Sequence, residues 1–258
     1  LRVLGIEPTN AANDANKNGV PTIQEFFNQK TVQKILKKHG PARIITATNV
    51  FAHINDASTL TKNIKNLLSD NGIFVSESQY LMDIFEKLEF DTIYHEHLRF
   101  YSLKPLAALF SSQGCSLVDA ERISAAGGSI RVYAMKGKHS PSANVKRLIA
   151  AEEAAGLYDA KAWQIFSQKA IEAKNDLLAL LIKQKKANCK IVGFSSSARS
   201  NTLLGFTKID NRLLDYTVEK KGSPKIGLFT PGSHLPVFNE EKIFREQPDY
   251  ALILSWHI

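Results

Sequence analysis

The feature that most constrains the fold is a regular alternation of apolar strands and amphipathic helices in the first half of the chain. The predicted strands cover residues 1–6, 20–27, 42–48 and 73–77, and the helices between them cover 10–18, 31–39 and 56–68. The strands at 42–48 and 73–77 are expected to be buried. A turn is predicted at 70–72, and after a helix at 103–113, strands 116–123 and 128–135 are predicted to form an antiparallel hairpin. This alternation is typical of a doubly wound, mostly parallel α/β sheet.

Polar side chains follow three of the predicted strands. Glu7 comes after the first, Asn49 and His53 come after the third, and Glu77 and Tyr80 come after the fourth. In open α/β sheets, ligands bind beyond the carboxyl ends of the strands, where an acidic residue can accept both hydroxyls of an adenosine ribose. Glu7 fits that role, although it can equally cap the following helix.

The densest chemistry of the chain lies in the four consecutive residues Tyr94, His95, Glu96 and His97. In an extended segment the two histidines face away from Tyr94 and Glu96, whereas in a tight loop all four can converge on one cavity. Glu96 can tune the pKa of His97 towards neutrality, as a general base requires. A satisfied polar loop is the alternative reading. A metal site is disfavoured because the segment lacks the HExxH spacing.

The second half of the chain predicts another α/β domain. Helices are predicted at 143–155 and 160–186, and strands at 190–194, 215–219 and 249–256. The last of these strands is expected to be buried. The strand at 190–194 leads into a loop of three serines followed by Arg199, which is a weak phosphate-binding signal.

Charge and cysteine content limit the classes of partner and compartment. The formal charge of +8 favours an anionic partner. Nucleic acid and a nucleotide sugar are both candidates, and the lysines are scattered rather than interleaved with aromatic residues as a nucleic-acid stacking platform would need. Cys115 and Cys189 lie far apart, so no disulfide framework is indicated and a cytoplasmic location is expected. No stretch has the length of a membrane span, and no signal peptide opens the chain.

The segment from Phe90 to Leu103 resembles the signature FDTIYHEHxxYYSLxxL of the S-adenosylmethionine-dependent sugar C-methyltransferases, which methylate nucleotide-linked keto-deoxysugars. Four other stretches extend the resemblance over nearly all of the chain: VLGIEPTNAA, TATNVFAHIND, GIFVSESQYL and GGSIRVYAMKG. The chain departs from the family pattern where Ala126 replaces a histidine, where Phe194, Ser195 and Ser196 replace Tyr-Gly-Ala, and where Arg199 replaces a lysine.

The resemblance implies a partial class I methyltransferase domain over 1–138 and a smaller C-terminal substrate-binding α/β domain over 139–258. The family's zinc module and first strand, with its glycine-rich loop, are not in the chain, which is therefore expected to be a fragment. On its own, the fragment is expected to bind S-adenosyl-L-methionine poorly. The implied cofactor is S-adenosyl-L-methionine and the implied partner is a nucleotide sugar, without nucleic acid or membrane.

The resemblance also assigns the site residues. The implied catalytic residues are His97 as base, Glu96 orienting it, and Tyr94 and His53 binding the enolate oxygen or the sugar. The implied cofactor-binding residues are Glu7, Pro8, Phe27, Thr48 and Asn49. The implied substrate-binding residues are Glu77, Tyr80, Ser129, Arg131, Arg199, Asn201 and His234. No metal ligand is implied.

Two other functions stay open on the sequence alone. A catalytically inactive, sugar-nucleotide-binding relative is compatible with the departures at Ala126 and at the serines 195–197. A nicotinamide-dependent sugar oxidoreductase is compatible with paired α/β domains, but no GxGxxG follows a predicted strand.

Overall fold

The computed structural model describes residues 2–256, so Leu1 of the first predicted strand lies outside the described residues. The strands of these residues are β1 (Gly5–Ile6), β2 (Thr22–Ile23), β3 (Ala42–Thr48), β4 (Leu68–Gln79), β5 (Cys115–Ile123), β6 (Ser129–Lys136), β7 (Ile191–Phe194), β8 (Thr217–Glu219), β9 (Val237–Asn239) and β10 (Tyr250–Ile253). The α-helices are α1 (Ala11–Lys17), α2 (Gln29–His39), α3 (Ala57–Leu67), α4 (Leu81–Lys87), α5 (Leu103–Ser112), α6 (Ala143–Ala154), α7 (Ala160–Lys186), α8 (Ala198–Thr207) and α9 (Glu241–Glu246).

These elements form two compact units. The first combines residues 2–78, 98–123 and 129–151, and the second combines 79–97, 124–128 and 152–256. Each unit takes residues from both sides of the boundary predicted between 138 and 139. The division into domains 1–138 and 139–258 stays a prediction. None of the helices described over 2–256 is long and apolar enough to cross a membrane.

The first unit contains two sheets. Strands β1 and β2 form a two-stranded parallel sheet, and the second sheet has the order β3-β4-β6-β5. β3 and β4 run parallel with Thr48 opposite Glu77, so their carboxyl ends coincide as expected. β5 and β6 form the predicted antiparallel hairpin. A packed aromatic cluster supports the carboxyl end of β3, since the ring of Phe51 lies 5.6 Å from Phe74 and 6.4 Å from Phe110.

The second unit is built on one parallel sheet with the order β10-β7-β8-β9. Its core joins α7, α8 and the sheet through a buried apolar cluster: Leu181, Ile191, Leu203, Leu204, Ile209, Leu214, Leu235 and Leu254. This parallel sheet has the strand and helix alternation that was predicted for the second half of the chain. β9 and α9 were not predicted.

Three local predictions are wrong. β3 was predicted to be buried, but it lies at a sheet edge and Ile44 is 60% exposed. β10 was also predicted to be buried and also lies at an edge, where Ile253 is 60% exposed. The turn predicted at 70–72, between a helix and a strand, is not observed, because these residues belong to β4, where the pairing shifts from Ala42–Leu68 to Ile44–Ile73. A run of apolar residues predicts a strand that can be buried. Whether the strand is buried depends on its neighbours in the sheet, which the local sequence does not specify.

Candidate active site

The segment from Tyr94 to His97 forms a tight turn rather than an extended strand. The backbone N–H of His97 donates to the carbonyl of Tyr94 at 3.1 Å. This turn places the phenol oxygen of Tyr94 3.1 Å from Nε2 of His97, with the two ring centroids 4.5 Å apart. Both side chains are half-buried, whereas His95 and Glu96 are exposed. The structure therefore brings together two of the four polar groups, Tyr94 and His97.

The electrostatic environment keeps Tyr94 protonated. Burial raises the pKa of the phenol above its ordinary value, and the charge of Glu96 raises it further, against a smaller lowering by Arg199. A neutral phenol can donate its hydrogen bond to Nε2 of His97 when that nitrogen carries no proton. The contact between Tyr94 and His97 was not predicted from the sequence. The i, i+3 spacing in a tight turn is the signal that predicts this contact. The role implied for Glu96 stays a prediction.

A buried charge cluster lies immediately before this turn in the chain. Arg199 donates from Nη2 to Oδ1 of Asp91 at 2.7 Å and from Nε to Oδ2 of the same carboxylate at 3.2 Å. Its Nη1 donates to Oε2 of Glu89 at 3.3 Å. Trp256 adds a hydrogen bond from Nε1 to Oδ2 of Asp91 at 3.1 Å, and its ring lies beneath the guanidinium. Arg199 was expected on an open phosphate-binding loop, but it is only 4% exposed.

Glu89 carries a pH-dependent contribution to stability. Burial raises the pKa of its carboxyl above the usual value, more than the charges of Arg199 and Lys87 lower it. Below the usual carboxyl pKa of about 4.3, the folded and unfolded states are both protonated. As the pH rises, the unfolded chain loses its proton first, so the stability of the wild type falls through this window.

We therefore expect Glu89→Gln, which stays neutral, to gain stability relative to the wild type as the pH rises above the usual carboxyl pKa of about 4.3. Urea unfolding of both proteins at several pH values measures the difference in the free energy of unfolding. A difference that does not change with pH, or that falls as the pH rises, would contradict a raised pKa at Glu89.

The residues implied for the cofactor lie in the first unit. Glu7 follows β1 and accepts the backbone N–H of Thr9 at 2.8 Å, and hydrogen bonds from Thr9 lower the pKa of its carboxyl. Pro8 beside it is exposed. Phe27 packs on the apolar cluster of α2 and α3. Thr48 and Asn49 are exposed at the end of β3, and Asn49 has a left-handed backbone with φ of 54°.

Two of the residues implied for the substrate form an ion pair on the first sheet. Arg131 on β6 donates from Nε and Nη2 to Oε2 of Glu77 on β4 at 3.1 and 3.0 Å. Its Nη1 reaches Glu121 at 2.9 Å, and these hydrogen bonds raise the pKa of Arg131. Ser129, at the start of β6, is buried. The structure thus unites Glu77 and Arg131, which the sequence analysis assigned without pairing them.

The remaining implied residues have separate surroundings. His53 is exposed at the end of a 3-10 turn, Phe51–His53. Tyr80 is buried and donates its hydroxyl to Glu152 at 2.8 Å. Asn201 donates to the carbonyl of Ser197 at 3.1 Å, and His234 is exposed with φ of 52°. Within the part of the chain that the structure describes, no group of three or more His, Cys, Asp or Glu side chains is placed to hold a metal ion.

Comparison with known families decides the affiliation of the chain. A family profile described as the C-methyltransferase C-terminal domain matches residues 124–258. The chain belongs to the C-methyltransferase family. A second profile, described as a methyltransferase domain, matches residues 2–120. These matches confirm the class I methyltransferase-like α/β fold predicted from the sequence, and S-adenosylmethionine is the cofactor of such a domain.

One curated relative of this C-methyltransferase chain is the C-methyltransferase NovU of Streptomyces niveus. The two are 30% identical over 263 residues, an alignment that covers 99% of this chain and 61% of NovU. The chain therefore spans less than two thirds of the length of that relative.

Solved methyltransferase structures are more distant from the chain. One is a chain of the complex between the Haloferax volcanii Trm112 methyltransferase activator and a methyltransferase, with 11% identity, a TM-score of 0.43, and coverage of 55% of this chain and 74% of that chain. Another is an S-adenosylmethionine-dependent methyltransferase from Clostridium acetobutylicum, with 12% identity, a TM-score of 0.40, and coverage of 54% and 76%. TM-scores below 0.5 do not establish a shared fold, so the affiliation rests on the family profiles.

Proposed function

We propose that the protein transfers a methyl group from S-adenosylmethionine to a carbon next to the ketone of a nucleotide-linked keto-deoxysugar, through an enolate. The observation that carries the proposal is the contact between Tyr94 and His97, with the phenol oxygen 3.1 Å from Nε2. Family membership supports a C-methyltransferase, and the pair supplies the two groups that methylation beside a ketone requires. These groups are a base for the C–H bond and a donor for the ketone oxygen.

The reaction assigns a separate task to each residue of the pair. His97 takes the proton from the carbon next to the ketone, and the C–H electron pair moves into the new C=C bond while the ketone oxygen gains negative charge. When the substrate binds, the O–H of Tyr94, which its surroundings keep neutral, turns from Nε2 of His97 to that oxygen, where charge develops. This rotation frees Nε2 of His97 to take the proton. The carbon that loses the proton and the ketone oxygen are close neighbours in the substrate. A base and a hydrogen-bond donor that lie side by side can therefore reach both atoms. The enolate carbon is then the nucleophile for the methyl group that S-adenosylmethionine would supply.

The residues at the carboxyl ends of β1 and β3 fit the cofactor. The carboxylate of Glu7 is kept ionised by hydrogen bonds from Thr9, so it can accept two hydroxyls of a ribose. Asn49 offers an exposed amide beside the end of β3. When bound, the cofactor supplies an electrophilic methyl group on a positively charged sulfur. We propose Glu7 and Asn49 as its contacts, and the pair of Glu77 and Arg131 as contacts of the nucleotide sugar.

Isotope transfer tests the proposed reaction. The full-length protein is incubated with S-adenosylmethionine carrying a ¹³C methyl group and with nucleotide-linked 4-keto-deoxysugars, and the product is examined by NMR. We expect the label in a methyl group bonded to a ring carbon next to the ketone. Label bonded to oxygen or nitrogen would contradict the carbon as acceptor. Binding of the sugar nucleotide without transfer would support the catalytically inactive alternative instead.

A further inference from the structure

The buried guanidinium of Arg199 lies 108 residues along the chain from Asp91, its main partner. We propose that Arg199 is a positioning residue, which fixes the turn carrying Tyr94 and His97 by holding Asp91. The catalytic consequence of this role rests on the proposed function, whereas the mechanical role does not. Family resemblance implies that Arg199 contacts the substrate. In the structure, Arg199 instead contacts acidic residues of the protein itself.

All three nitrogens of the guanidinium of Arg199 donate hydrogen bonds to acidic residues. Two of them donate side by side to Asp91, and the third donates to Glu89. Glu89 and Asp91 are each 1% exposed. A phosphate would have to displace a buried carboxylate from this arginine and leave that carboxylate without its partner, which is strongly unfavourable. Arg199 is thus built to hold protein groups.

A continuous series of contacts links Asp91 to the turn. Asp91 lies in the 3-10 turn Phe90–Thr92. Backbone hydrogen bonds then overlap along the segment: Thr92 to Glu89 at 3.1 Å, Ile93 to Phe90 at 3.2 Å, Tyr94 to Thr92 at 3.1 Å and His97 to Tyr94 at 3.1 Å. The hydroxyl of Thr92 is also fixed, because it donates to Oε1 of Gln79 at 2.7 Å. A displacement of Asp91 is therefore transmitted to both rings of the pair.

Two further contacts come from distant parts of the chain. Trp256 donates to the same carboxylate of Asp91, and its ring centroid lies 5.2 Å from the guanidinium carbon of Arg199. Phe206, on the same helix as Arg199, packs against Phe90 with the ring centroids 5.0 Å apart. α8 and the chain after β10 therefore hold one short segment, the one that leads into the turn. The charge of Arg199 also reaches the turn, because it lowers the pKa of Tyr94 against the larger effect of burial.

Steady-state kinetics of Asp91→Asn and Arg199→Gln in the full-length protein test the catalytic part. We expect kcat to fall on the order of 10²-fold, as small misplacements of reacting groups do, with KM for the sugar nucleotide nearly unchanged. Arg199→Lys keeps the charge but loses the paired geometry, so we expect partial recovery of kcat. Asp210→Asn is the matched control, since the partly exposed Asp210 pairs with the exposed Arg212. A rise in KM with unchanged kcat would make Arg199 a substrate contact and overturn the proposal.

Amide hydrogen exchange tests the mechanical part without any substrate. In Asp91→Asn we expect faster exchange at the amides of residues 92–97, with no change in β7 or in the Asp210→Asn control. If Asp91→Asn does not fold, the same exchange rates are measured for Arg199→Lys and compared with those of the wild type. Unchanged exchange in a folded variant would overturn the positioning role. If the wild type transfers no methyl group, the proposed function fails, but exchange still decides whether Arg199 holds the turn.

Discussion

Replacement of His97 by asparagine should reduce methyl transfer by about 10² to 10⁴-fold, the range typical of a lost general base. The reason is the position of Nε2, which lies 3.1 Å from the phenol oxygen of Tyr94 in a half-buried turn. The asparagine side chain can still form hydrogen bonds but cannot take the proton. Because the backbone of the turn is held by its own hydrogen bonds, the fold should survive. Turnover with a labelled methyl donor and circular dichroism measure the two effects.

The neighbouring histidine gives a matched control for this variant. His95 lies in the same turn but is exposed, and we assign it no role in the chemistry. His95→Asn should therefore retain most of the activity. Near-normal turnover by a well-folded His97→Asn protein would show that His97 is not the base. Equal losses in both variants would show that the turn tolerates no substitution, and they would withdraw the specific assignment.

Replacement of Gly128 by alanine should destabilise the protein on the order of 3 kcal/mol or more, the sum of a strained backbone and an overpacked site. Gly128 has φ of 151°, a conformation that side chains rarely adopt. A Cβ atom there would lie 2.1 Å from Cγ of Asp83 and 2.4 Å from its Cβ. Asp83 cannot move aside easily, because it is buried and its carboxylate pairs with Lys87 at 2.8 Å. Urea unfolding measures the change.

Gly222 provides the control for the strain alone. It also has a positive φ, of 87°, but a Cβ atom there would meet nothing within 4 Å. Gly222→Ala should therefore cost only about 1 kcal/mol, the lower part of the range for a residue in a strained conformation. Combining Gly128→Ala with Asp83→Gly should recover part of the loss by removing the clash. Equal losses at the two glycines would show that the contact with Asp83 contributes nothing.

The sequence predicts the parts of the fold that depend on local pattern. Helix α7 was predicted at its observed bounds, and the β5–β6 hairpin was predicted within a residue at each end. The carboxyl ends of β3 and β4 were expected to meet, and Thr48 does pair with Glu77. These features follow from apolar periodicity and from the alternation of strands and helices, which nearby residues determine.

The parts that the sequence did not predict depend on contacts between distant residues. The exposure of Ile44 follows from the position of β3 at a sheet edge, which its own apolar sequence does not reveal. The contacts of the candidate site were also predictable only where they are local in the sequence. The contact between Tyr94 and His97 spans three residues and could be expected from a turn, but Arg199 and Asp91 lie too far apart for any local pattern to join them. Arg199 was therefore assigned to a phosphate.

Hydrogen exchange at the substrate carbon tests most directly the claim that this protein forms an enolate. The full-length protein is incubated in heavy water with the nucleotide-linked keto-deoxysugar and S-adenosylhomocysteine, which carries no methyl group to transfer. Deuterium at the carbon next to the ketone is then followed by NMR for the wild type and for His97→Asn. We expect rapid incorporation with the wild type and on the order of 10² to 10⁴-fold slower incorporation with His97→Asn. Incorporation at equal rates with both proteins, or none with a wild type that still transfers methyl groups, would contradict this expectation.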